Sequence, residues 1–113
     1  MILLDYEQMT KFFHPALIKV LLDLDYEFGP KIATSLWRKK EGNESGIHET
    51  LPLRAVDFRC RNYYVGKAIC EWINDRWEYD PDRPQKEVCI YHDTGYGWHL
   101  HIQVHDHTIF RGT

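Results

Sequence analysis

The residues best suited to chemistry stand near the end of the chain. Residues 98–105 read WHLHIQVH, in which Leu100, Ile102 and Val104 alternate with His99, His101 and Gln103. Side chains alternate across a β-strand, so this spacing puts two imidazoles on one face, their Cα atoms about 6–7 Å apart. Neutral imidazole is a frequent metal ligand and a proton carrier near neutral pH. One ion needs further ligands: a catalytic zinc takes three His or carboxylate groups and keeps a fourth position for water. The stretch GIHETLPLRAVDFR offers them. His48 leaves a polar loop just ahead of a strand, and Asp57 sits mid-strand among Ala55, Val56 and Phe58. A carboxylate there is costly to bury unless a cation offsets it. Arg54, Arg59 or a metal ion could do so.

HETLPLRAVDFR, followed some 40 residues later by WHLHIQV, resembles the zinc D-alanyl-D-alanine peptidase superfamily. That group includes dipeptidases, carboxypeptidases, phage endolysins and the signalling domain of hedgehog proteins. The likeness runs from about Leu17 to Val104 and includes a TSLWR segment similar to the family's TSGYRS. It implies a zinc ion held by His48, Asp57 and His101. It further implies that His99 assists beside the metal, that Arg38 stabilises the substrate carbonyl, and that Asp93 serves as general base. The implied activity is metallopeptidase cleavage of D-amino-acid peptide bonds in bacterial cell-wall peptidoglycan, of carboxypeptidase or endopeptidase type. Two departures stand out. The His48–Asp57 interval is two residues longer than the usual family spacing, and Leu53 stands where a glycine is common. Hedgehog domains show that such a fold can also hold zinc and act through a partner, so a non-catalytic zinc module is the alternative.

Two histidines and a carboxylate also make the facial triad of non-haem iron oxygenases. Those normally space the first pair as HxD within a many-stranded barrel, which this chain is too short and too helical to form. His105-Asp106-His107 is a second metal-like cluster, expected instead as a polar end past the last strand. His92 is a lesser neighbour of the site. The four tryptophans and the Tyr63-Tyr64 pair are expected to pack the core or its rim.

These side chains need a scaffold. Residues 14–30, HPALIKVLLDLDYEFGP, predict a first helix: Pro15 suits the first helical position, Leu17, Val20, Leu21 and Leu24 make an apolar stripe, and Gly29-Pro30 stops it. KIATSLWRK predicts a strand and KEGNESG an exposed loop. RAVDFR predicts a short strand with Val56 and Phe58 on one side. RNYYVGKAICEWINDRWEYD predicts a second helix with Val65, Ile69, Trp72 and Ile73 buried. EVCIYH, a DTGYG turn and WHLHIQV complete an antiparallel sheet of about four strands, with the two helices on one face: an α+β domain spanning residues 1–113.

Composition bounds the rest. The chain has 113 residues, 43% of them hydrophobic, which suits one compact core. Seven histidines, five of them after residue 90, are its one oddity. The net charge is −3 without a basic run, which argues against nucleic acid. Cys60, Cys70 and Cys89 have no zinc-thiolate spacing and read as reduced core residues. No stretch approaches the ~20 apolar residues that span a bilayer, and the start lacks a signal-peptide pattern. The expectation is a cytoplasmic monomer, reaching the cell wall only if of phage or prophage origin.

Overall fold

The computed structural model describes residues 11–29, 33–35, 52–93, 95 and 97–112. Helix α1 spans Pro15–Phe28. Pro15 opens it, and the His14 side chain caps it by accepting the amide of Ala16 at 3.1 Å. Gly29 closes it at φ 80°, a backbone state that costs other residues a steric penalty. Helix α2 spans Tyr63–Arg76, and the Asn62 side chain caps it through the amide of Val65.

Six strands are described: β1 Ala33–Ser35, β2 Ala55–Arg59, β3 Trp77–Glu78, β4 Cys89–Asp93, β5 Trp98–Gln103 and β6 Ile109–Phe110. Four form an antiparallel sheet in the order β1-β2-β5-β4, and β3 pairs with β6 in a second, two-stranded sheet. This is the expected small α+β architecture.

Period-2 alternation fixes the faces of the main sheet. Val56 and Phe58 on β2, Leu100 and Ile102 on β5, and Cys89 on β4 meet Leu17, Val20 and Leu24 of α1 and Ile69 and Ile73 of α2. Both helices therefore cover one face. Leu100 and Ile102 are fully buried, which contributes roughly 1.5–3 kcal/mol each. Leu53 ties α1 to the sheet: its amide reaches the carbonyl of Phe12 at 2.6 Å, and its carbonyl accepts from His14 at 2.8 Å.

The expected elements differ from the observed ones in two places. The second helix ends at Arg76, because Trp77 turns to extended backbone and pairs with Phe110 of β6. WHLHIQV is thus not the last strand. The buried stripe of α2 runs through Gly66, Ile69 and Ile73, while Val65 is exposed. Only Ala33–Ser35 of the expected KIATSLWRK strand falls among the described residues. No helix among the described residues is long and apolar enough to cross a membrane.

Candidate metal centre

The face of the sheet turned away from the helices carries the histidines and the aspartate singled out in the sequence. Strand register sets Asp57 opposite His101 and Arg59 opposite His99 across the β2–β5 pair. Across the β4–β5 pair, His92 stands opposite His99 and Ile90 opposite His101. Parity therefore places Asp57, His92, His99, His101 and Gln103 on one face, because every second residue of a strand points the same way.

Asp57 and His101 are in direct contact: Nδ1 of His101 lies 2.8 Å from Oδ1 of Asp57, and both side chains are about 15% exposed, at 14% and 16%. The other ring nitrogen, Nε2, faces Oε1 of Gln103 at 3.1 Å. The Gln103 amide cannot turn over cheaply, since its Nε2 donates to the carbonyl of Glu87 at 2.9 Å. Both nitrogens of His101 thus face acceptors. In a metal-bound state Nδ1 would give its lone pair to a cation shared with Asp57. A ligating histidine usually donates its other N–H to a fixed acceptor, and Gln103 supplies one. Two ligand atoms on a tetrahedral zinc stand about 3.3 Å apart, so a small side-chain rotation converts this contact into a shared ligand pair. Asp57 and His101 thus offer two donors of the kind a zinc ion takes.

His99 is buried, and its Nδ1 donates to the carbonyl of Gly97 at 2.9 Å. In the neutral ring this leaves Nε2 as the basic nitrogen. His92 is exposed, with its ring centroid 6.3 Å from that of His101. Asp93 does not join them. It pairs with Trp98, which puts it on the helix-side parity, and its Oδ1 accepts the amide of Gly95 at 2.8 Å in the turn. The structure thus brings Asp57, His99 and His101 together and leaves Asp93 apart. Arg38 and His48 lie outside the described residues.

Gln103 went unnoticed as a site residue, although its place two after His101 carried the signal. A cleft of about 400 Å³ lies on the other side of β4, lined by Tyr63, Lys67, Cys70, Tyr91 and Trp98 among others. It holds none of the expected ligands. Tyr91 stacks on Trp98 there at 4.9 Å, so these aromatics form a rim, as expected.

A second group gathers at the far end of β5. Among the described residues, Asp80, His105 and His107 offer one donor atom each, all within 4.8 Å of one another, and could hold a metal ion. The expected reading of His105-Asp106-His107 as a mere polar end missed Asp80, which is 25 residues away in sequence from His105 and approaches only through the β3–β6 pairing. Asp106 turns elsewhere, to Nε2 of His14 at 2.9 Å.

No protein-family model, curated protein or solved structure matches the chain.

Proposed function

We propose that the chain is a zinc-dependent peptidase whose metal is held by His48, Asp57 and His101. Its substrates on this reading are peptides containing D-amino acids, such as the stems of bacterial peptidoglycan. The observation that carries the proposal is the 2.8 Å approach of Asp57 Oδ1 to His101 Nδ1, with Nε2 of the same ring held by Gln103. A zinc ion bound there would supply a Lewis acid that polarises a peptide carbonyl and lowers the pKa of a water to about 7.

The chain's own residues would do the rest. With Asp93 turned to the other face, proton transfer falls to His92, which shares the face of His101 and is open to solvent. His92 takes the proton of the attacking water and returns it to the leaving amine. His99, protonated, would present its Nε2–H to the developing oxyanion while Gly97 fixes the ring. Arg38 is assigned the same task by the family resemblance.

A non-catalytic zinc module is the second reading. Among the described strand residues of this face, Asp57 is the only carboxylate, so the usual carboxylate base is missing from them. The test is metal analysis of protein purified without added metal, followed by a peptidoglycan digest read by mass spectrometry. Zinc with cleavage of stem peptides is the expected result. Iron, or no metal after zinc soaking, overturns the reading. Zinc without cleavage of stem peptide, peptidoglycan or ordinary peptide leaves the binding module.

A further inference from the structure

Asp80 follows β3 and is almost completely buried, at 4% exposure. Its carboxylate is held in place from one side. Oδ1 accepts the amide of Asp82 at 3.0 Å, and Oδ2 accepts Nε of Arg83 at 2.9 Å. On the other side stand two imidazoles. Nδ1 of His105 lies 3.8 Å from Oδ2, and Nδ1 of His107 lies 3.7 Å from Oδ1. Both distances are too long for hydrogen bonds. Two ligand atoms each about 2.0–2.2 Å from a tetrahedral ion stand about 3.3–3.6 Å apart, so a slight inward shift of each ring would let it share an ion with Asp80.

The two rings belong to one tight turn. The amide of Thr108 donates to the carbonyl of His105 at 3.0 Å, and the amide of His107 donates to Nδ1 of His105 at 3.2 Å. The ring centroids are 5.0 Å apart and nearly perpendicular, at 77°. The turn thus gathers both imidazoles beside one carboxylate, and an ion that takes Nδ1 of His105 displaces the His107 amide from it. Asp106, between them, is engaged with His14 and does not compete.

We propose that Asp80, His105 and His107 form a second metal site, separate from the Asp57–His101 pair, that takes a zinc-like transition-metal ion. Two imidazoles and one carboxylate suit zinc, nickel or copper over magnesium or calcium, which prefer all-oxygen sets. The Arg83 guanidinium already offsets part of the Asp80 charge, which further disfavours the hard cations that bind by charge alone. The site's effect is mechanical. It joins the segment after β3 to the turn before β6, so an ion there clamps the two-stranded sheet at its open end. This inference shares no ligand with the proposed peptidase centre and does not rest on it.

The experiment counts zinc. Protein stripped by chelator is titrated with zinc chloride, as wild type, His107→Ala and Asp57→Asn. The side chain of His107 is 63% exposed, so its removal spares the fold. The expected stoichiometry is two ions for wild type and one for each variant. Hydrogen exchange gives an independent readout at the amides of Thr108 and of Arg111, the latter bonded to the carbonyl of Arg76 at 2.7 Å. Free zinc at about 100 times its dissociation constant should slow local opening there about 100-fold in wild type and not in His107→Ala. A His107→Ala protein that takes up as much zinc as wild type overturns the second site, as does exchange at these amides that ignores zinc. If His107→Ala loses one ion while Asp57→Asn loses none, the second site stands and the ligand assignment of the peptidase centre falls.

Discussion

Gln103 holds His101 from behind: Oε1 of the amide faces Nε2 of the imidazole at 3.1 Å, and the amide nitrogen is anchored on the carbonyl of Glu87. The two side chains stand two residues apart on one strand, so the same alternation that aims His101 at Asp57 also places its support. Removing such a support typically weakens a metal 10–100-fold without removing a ligand. Gln103→Leu should therefore weaken the zinc bound at Asp57 and His101 by about that factor, read by chelator competition in the His107→Ala background. Gln103→Glu, which keeps an acceptor, should retain most of the affinity. Equal affinity for Gln103→Leu and the parent would remove Gln103 from the site.

Asp57 and the two histidines of β5 should separate by role. Asp57→Asn and His101→Ala should each lose the zinc and all cleavage while staying folded. His99→Ala should keep the zinc and lose about 10²–10³ in turnover, as when one oxyanion donor is removed. His92→Ala should also keep the zinc and lose turnover. Asp93→Ala should leave both intact, because the register turns Asp93 to the other face. Zinc lost from His99→Ala and kept in His101→Ala would reverse the ligand assignment.

The parts of this fold legible in the sequence are those set by local rules. Alternation fixed the faces of β2 and β5, whereas the register that sets Asp57 opposite His101 is seen only in the structure. Proline and glycine marked the bounds of α1. What escaped depends on chain segments distant in sequence. No local pattern says that Trp77 leaves the helical path, because its reason is a partner, Phe110, 33 residues later. Asp80 was invisible as a neighbour of His105 and His107 for the same cause. The face of Asp93 was hidden as well, because the family resemblance that singles it out does not fix which way it points. A single step along the strand reverses the face.

Gly66 should resist substitution although it stands inside a helix. Replacing a mid-helix glycine by alanine ordinarily stabilises by about 1 kcal/mol. Here an added Cβ would run into the ring of Tyr91. That ring cannot swing aside freely: its hydroxyl donates to the carbonyl of Cys60 at 2.6 Å, and its face stacks on Trp98. Gly66→Ala should instead destabilise by about 1–3 kcal/mol, the usual cost of overpacking. Urea unfolding measures it, and a gain in stability would show that α2 and β4 are not packed this closely. Gly66→Ala combined with Tyr91→Leu should recover part of the loss.

Asp23 predicts how stability depends on acid. It lies on α1 and accepts Nε and Nη2 of Arg76 at 2.9 Å each and Nε1 of Trp77 at 3.0 Å, joining α1 to the end of α2. Arg76 also lies over the Trp72 ring, 4.5 Å from its centroid. Burial alone would raise the Asp23 pKa, but the bonds from Arg76 and Trp77 outweigh it and hold the carboxyl below its usual value. An acid whose folded pKa is lowered contributes its stability above the unfolded value of about 3.9 and loses it as pH falls through the folded value. Wild type should therefore melt several degrees above Asp23→Asn at pH 7. The gap should close as the pH is taken below about 4, because the protonated wild-type carboxyl then resembles the amide. Thermal melts of both proteins across that range give the test. A gap that persists unchanged into acid would mean that Asp23 acts by packing and not by charge.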